Sequence, residues 1–322
     1  MSGQGRDFDP RVDLGRGLVL VNPIGVASGT FGFGFEAEAL GSIEHLGAIF
    51  SKGTTRLPRD GNQPPRIAET TAGMLNSIGL QNPGVEAVAR DYAPRWASWR
   101  VPVLVNVAGA DIAEYVEVVA RLDGVEGVAG IELNISCPNI AHGMDFATEP
   151  GAAGRCVAAV RRATSLPLVV KLSPNVTDIA EIARAVEDAG ADALSAVNTY
   201  VGMKVALYAR RPVLPGAGTA GLSGPAIKPL ALAAVAKVRR AVGIPVIGIG
   251  GIATATDALD YLVAGADAVQ VGTANFTNPQ ASREVVEGCL AYAEQHRLQC
   301  WSELRWRELD HPGWQETALP VD

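Results

Sequence analysis

A single (β/α)8 (TIM) barrel is the fold this 322-residue chain predicts, on three observations. Eight short apolar stretches read as buried parallel strands, at 24–28, 48–51, 103–106, 130–135, 168–171, 193–197, 246–249 and 268–271. Between them lie helical patterns at 111–122, 177–189, 225–241, 256–264 and 279–293. Each strand candidate also ends in glycine or a polar residue. Strands alternating with helices over this length fit a closed barrel better than an open doubly wound sheet. Hydrophobic residues make up 48% of the chain and charged residues 19%, which supplies a large core and argues against disorder.

Residues 1–10 are polar and glycine-rich and are expected to fray. Residues 12–21 alternate around Gly15 and Gly17, which predicts a small N-terminal hairpin. The first strand ends in Ala27-Ser28-Gly29-Thr30 and the second in Ser51-Lys52-Gly53-Thr54. The strand–helix rhythm then breaks once, between Gly53 and Trp99, where Gly61-Asn62, Pro64-Pro65 and Asn82-Pro83-Gly84 form turns. A long insertion after a barrel strand belongs at the catalytic face. The third strand ends in Asn106, the fourth in Asn134 and Cys137, the fifth in Lys171 and the sixth in Asn198-Thr199. The last two end in Gly248-Ile249-Gly250-Gly251 and Gly272-Thr273. Asp111, Thr177 and Thr254 stand where helix N-caps are needed. No linker or internal repeat divides the chain, so 1–322 reads as one domain. From about Gln295 a tail carrying Trp301, Trp306 and Trp314 reads as an amphipathic helix packed on the barrel.

The net charge of −7 argues against a nucleic-acid binder. No apolar run reaches the ~18 residues of a membrane span, and no signal-like segment opens the chain. Four cysteines (Cys137, Cys156, Cys289 and Cys300) show neither metal-ligand spacing nor disulfide density. The expectation is a cytoplasmic protein without membrane or metal.

A lone strand-end Asn or Lys is usually a local hydrogen-bonding device, and a lone Cys usually a buried one. Eight polar strand ends around one mouth are different. Amides and ammonium groups facing a closed apolar core would go unsatisfied, so the ring calls for a ligand. The glycine stretches after strands 7 and 8 place backbone N–H groups where barrels bind phosphate. They lack the G-x-G-x-x-G spacing of a dinucleotide fold. Lys171 and Lys52 leave two roles open: a Schiff base with a carbonyl substrate, or positive charge against an electron-rich ring or an anion. With Asn106 and Asn134 nearby, a ligand with several carbonyls is favoured, and an isoalloxazine ring has such an edge.

In this order and spacing the motifs resemble the dihydroorotate dehydrogenase family, specifically the catalytic subunit of its class 1B. They are Asn22-Pro23-Ile24 with Ala27 through Gly32, Lys52-Gly53-Thr54-Thr55, Asn62 through Arg66, and Asn76 through Gly84. Next come Ile131-Glu132-Leu133-Asn134-Ile135-Ser136-Cys137-Pro138-Asn139 and Lys171 through Val176. Asn198-Thr199, Gly221 through Pro225, Gly250-Gly251 and Gly272-Thr273-Ala274 complete the set, which runs from about Val21 to Pro279. The resemblance implies FMN across the barrel mouth, its phosphate on Gly224, Gly250, Gly251, Gly272 and Thr273. Ser28, Lys52, Gly53, Asn106, Asn134, Lys171 and Val197 would meet the rest of the cofactor. Dihydroorotate would be held by Lys52, by Asn76, Ser77, Ile78, Gly79 and Leu80, and by Asn134, Asn198 and Thr199. Cys137 matches the catalytic base of class 1 enzymes, where class 2 enzymes carry serine. A homodimer core is implied, with a partner flavoprotein subunit bearing FAD and a two-iron two-sulfur cluster that passes electrons to NAD. The chain departs from the family pattern at Ala206, at Ala220 and over 142–147.

Four other readings compete. A dihydropyrimidine dehydrogenase-like flavin barrel shares the cysteine and asparagines, and a class 1A enzyme would reduce fumarate at the same pocket. A Schiff-base aldolase would use Lys171 and bind no flavin. A non-enzymatic ligand-binding barrel would tolerate Cys137→Ser.

Overall fold

The computed structural model describes residues 8–41, 43–136, 146–215 and 218–306. Its centre is a closed parallel barrel of β1 (Ile24–Val26), β2 (Ala48–Phe50), β3 (Val103–Val107), β4 (Gly130–Asn134), β5 (Leu168–Leu172), β6 (Ala193–Ala196), β7 (Val246–Ile249) and β8 (Ala268–Val271). Each strand pairs with the next, and β8 closes on β1. All eight fall within the predicted stretches or one residue beyond. Parallel strands wrapped by helices are buried on both faces, so they are written as continuous apolar runs. In β3 and β5 every residue is buried.

Helices Ile112–Leu122, Pro150–Arg161, Ile179–Asp188, Lys228–Ala241, Ala255–Val263 and Ala281–Gln295 surround the barrel. Asp111 caps the first of these by accepting from the Glu114 amide, and Thr254 forms a reciprocal capping box with Asp257. The cap expected at Thr177 lies one residue later. Asp178 accepts from the Ala180 amide, a role its carboxylate fills while also pairing with Lys237 at 3.0 Å.

The strand–helix rhythm breaks twice, not once. Besides the insertion after β2, residues 199–224 after β6 form a second excursion. It contributes Tyr200–Gly202 and Ala220–Ser223, and also a small hairpin, Val205–Ala206 with Arg211–Pro212. The first insertion contributes the hairpin Ile67–Thr70 and Gly73–Asn76. Together they make one four-stranded antiparallel sheet, ordered Tyr200–Gly202, Ala220–Ser223, Gly73–Asn76, Ile67–Thr70. Asn76 pairs with Gly221, Leu75 with Leu222 and Met74 with Ser223. Ala68, Leu75 and Leu214 give this cap its own apolar cluster, with Ala220 and Leu222 packed against it. Ala220, where the chain departs from the family pattern, packs within this cap sheet opposite Gly202.

The N-terminal hairpin is present as Val12–Asp13 with Val19–Leu20. It lies at the end of the barrel where strands begin, since Arg16 bonds Asp192 just before β6. Residues 8–10 are fixed rather than frayed. Phe8 packs edge-on against Trp301, and Trp301 Nε1 donates to the Pro10 carbonyl at 2.8 Å. Trp301–Leu304 is a 3-10 turn, so residues 296–306 do not form the expected amphipathic helix. Trp314 lies outside the described residues. Among the described residues no helix is long and apolar enough to cross a membrane.

Candidate active site

Period-two alternation places Glu132 and Asn134 of β4 on the same inward face. Strand register sets Asn106 of β3 beside Glu132, and Lys171 of β5 beside both Asn134 and Ser195 of β6. The barrel interior therefore ends upward in polar layers. In the lower one, fully buried Glu132 accepts from Asn106 Nδ2 at 2.6 Å, Ser195 Oγ at 2.8 Å and Gln270 Nε2 at 2.8 Å. The Lys171 ammonium stands 3.7 Å from the same carboxylate and is itself buried. A lysine committed to a buried carboxylate is poorly placed to attack a carbonyl, which weighs against the aldolase reading.

Above this floor, Asn198 Nδ2 donates to Asn134 Oδ1 at 3.2 Å, and Tyr115 OH donates to the Asn134 carbonyl at 2.7 Å. Thr199 N returns to Asn198 Oδ1 at 2.8 Å. A Cβ added to Gly53 would fall 3.1 Å from Asn106 Oδ1 and 3.6 Å from Leu80, so the end of β2, the floor and the first insertion meet there. A Cβ on Gly221 would come within 2.3 Å of Thr199 Oγ1, which brings the second insertion to the same place.

The 76–80 loop is held in a conformation of high local energy. Gly79 and Leu80 have φ of 75° and 55°, the left-handed region, which for a leucine costs on the order of 1–3 kcal/mol. A Cβ at Gly79 would lie 2.5 Å from Asn62 Oδ1. Asn62 bonds Ile78 O and Ser77 Oγ, Asn82 Nδ2 bonds Leu80 O at 2.7 Å, and Asn76 Nδ2 bonds Gly221 O at 3.3 Å. Three asparagine side chains thus pin the segment expected to hold substrate.

Lys52 lies close enough to Arg66 to feel its charge. Burial, and then the positive charge of Arg66, push its ammonium below the ordinary lysine value. Among the described residues neither Lys52 nor Arg66 has a carboxylate within ion-pair distance. Arg66 is fixed instead by Asn62 O, Gln81 Oε1 and Asp60 O. Two such cations make a place for an anion.

Across the mouth, Gly224 (φ 98°) and Gly251 (φ 68°) pack backbone to backbone. A Cβ on Gly224 would fall 2.7 Å from Gly73 Cα, and one on Gly251 3.0 Å from Gly224 O. Thr273 Oγ1 donates to Ser223 Oγ at 2.8 Å, and Gly272 lies against Ala27 at the end of β1, next to half-buried Ser28. The amides of Gly250, Gly251, Gly272 and Thr273 donate to no acceptor among the described residues. Val197 is buried, its amide on Ile249 O at 3.1 Å. The predicted residues other than Cys137 thus gather at one end of the barrel. Cys137 lies outside the described residues.

Sequence reading missed Glu132, Ser195, Gln270, Tyr115 and Arg66. Glu132 had a signal: one carboxylate within an apolar strand, two residues before a site asparagine and therefore on its face.

Comparison with known proteins gives one consistent finding. The family model described as dihydroorotate dehydrogenase matches residues 15–291. The chain is 53% identical over 289 residues to the dihydroorotate dehydrogenase B (NAD(+)) catalytic subunit of Pelobacter propionicus, covering 89% of this chain and 95% of that one. It is 54% identical over 278 residues to the protein of the same name from Trichlorobacter lovleyi, covering 86% and 91%. With that of Desulforamulus reducens it shares 51% over 288 residues, covering 89% and 94%.

Proposed function

Because the chain belongs to the dihydroorotate dehydrogenase family, we propose that it oxidises dihydroorotate to orotate in pyrimidine synthesis. On this reading it is the FMN-bearing subunit of an NAD-linked enzyme. The observation that carries the reading is the mouth itself: two cations with no carboxylate within ion-pair distance among the described residues, beside a fixed amide loop and over Asn106, Asn134 and Lys171. The name shared by the relatives supports NAD linkage over the fumarate-reducing class.

The residues present fit FMN. Unengaged amides at Gly250, Gly251, Gly272 and Thr273, with Gly224 beside them, suit its phosphate. Ser28, Gly53, Asn106, Asn134, Lys171 and Val197 would meet the ring, which supplies hydride acceptance when bound. The protein's own groups do the rest. Lys52 pairs with the substrate carboxylate, while Asn76, Ser77, Ile78, Gly79 and Leu80 close over it. Asn134, Asn198 and Thr199 hold the ring amides. Cys137, as thiolate, takes the proton from the carbon beside the ring carbonyl.

The homodimer belongs to the same reading. The hairpin of the second insertion exposes Val205, Leu207 and a fully exposed Tyr208, and a two-fold contact lets one such edge meet its own copy. The purified chain is expected to sediment as a yellow dimer that releases one FMN per subunit on denaturation. A colourless protein that takes up no FMN on reconstitution would end the FMN reading.

Lys52→Met is expected to raise the orotate dissociation constant about 10²-fold, near 3 kcal/mol for a charged hydrogen-bonding partner lost from a half-buried site. A pH dependence follows. Below its lowered pKa, Lys52 is charged and weighs against the folded state. That burden lifts as pH rises toward the ordinary 10.5, where the unfolded chain still keeps its proton. Orotate uses the charge, so its affinity should fall as pH climbs through the lowered value. Flavin absorbance titrations measure both effects, and unchanged orotate affinity in Lys52→Met would remove Lys52 from the substrate site.

A further inference from the structure

We propose that Glu132 is a positioning residue that sets the orientation of Asn106 and the net charge around Lys171 beneath the flavin, and through them the flavin's reduction potential. The inference rests on the FMN reading above. Barrel interiors are normally filled by branched aliphatic side chains. Here a carboxylate with no exposed surface stands at the axis and gathers donors from β3, β5, β6 and β8. Gln270 turns its amide nitrogen to Glu132 although this leaves its own Oε1 buried without a partner among the described residues. The carboxylate therefore dictates the arrangement.

Two consequences reach the mouth. By accepting from Asn106 Nδ2, Glu132 turns the Asn106 carbonyl oxygen toward Gly53, as its 3.1 Å approach to a Cβ there indicates. By pairing with Lys171 it offsets a full positive charge with a negative one placed deeper in the barrel. Positive potential favours the electron-rich reduced flavin, and Glu132 tempers that preference.

The test uses FMN-loaded enzyme and dye-equilibrated reductive titration. Glu132→Gln keeps the shape and removes the charge. It is expected to shift the two-electron equilibrium about tenfold toward reduced flavin, about 30 mV upward. Lys171→Met should shift it downward, and Glu132→Gln/Lys171→Met should lie between the two. The double variant leaves no unpaired buried charge. If Glu132→Gln alone does not fold, the difference between the double variant and Lys171→Met still reads the Glu132 charge. A wild-type potential in Glu132→Gln, or a double variant equal to Lys171→Met, would overturn the proposal and leave Glu132 a packing group. A wild-type protein that accepts no FMN would instead fail the reading beneath it, before any variant is measured.

Discussion

Replacing Cys137 with alanine is expected to leave FMN bound and to slow flavin reduction by dihydroorotate about 10²-fold or more, the scale of a lost general base. The expectation rests on elimination as well as resemblance. Cys156 and Cys289 are buried in apolar surroundings, which pushes each thiol up to about 12. Neither can supply thiolate near neutral pH. Cys300 pairs with Asp9 beside Trp301, at the end of the barrel opposite the mouth. Cys137 is the cysteine that follows β4 in sequence: Asn134 at the end of that strand accepts the Ser136 amide at 3.1 Å, and Cys137 is the next residue along the chain. Cys137→Ser should retain a fraction of the rate with its pH profile moved upward, because a hydroxyl gives up its proton far less readily. Anaerobic stopped-flow reduction decides the matter, and wild-type speed in the alanine variant would refute the assignment. Cys300→Ser should reduce at the wild-type rate.

The barrel was legible because burial on both faces leaves a parallel strand no choice but an apolar run, and each run here is bounded by polar residues or glycine. The second insertion was not. Its strands are two to four residues long, only partly buried, and paired through Asn76 with a segment 145 positions away. Local alternation cannot report such a contact. The individual mouth residues were legible because a polar group at a strand end has few structural uses when every strand carries one. Glu132 escaped because it sits below the strand ends, inside a run read as uniformly apolar. Its meaning depends on Ser195 and Gln270, each unremarkable within its own strand. The N-cap at Asp178 escaped for a smaller reason: Thr177 and Asp178 are both good caps, and only the helix's final register chooses between them.

The isolated chain is expected to reduce artificial acceptors with dihydroorotate but to leave NAD essentially unreduced until a partner flavoprotein is added. The glycines after β7 and β8 lack dinucleotide spacing. The four cysteines stand at 137, 156, 289 and 300, too dispersed in sequence for the usual iron–sulfur ligand runs. NAD reduction thus needs binding elements that the motif set does not supply. Relatives at 51–54% identity are named as catalytic subunits of an NAD(+) enzyme, which supports a second subunit as their source. The class 1A alternative makes the opposite demand. Its pocket would release orotate and admit fumarate, another small carboxylate, to the same Lys52 and Arg66. An anion site alone does not separate the two, since both ligands would satisfy it. Turnover does. If the chain alone oxidises dihydroorotate with fumarate at a rate near its flavin reduction, the NAD-linked assignment is wrong. If fumarate reoxidises the flavin slowly and added partner restores rapid NAD reduction, the electrons leave through a protein interface and not through the substrate pocket.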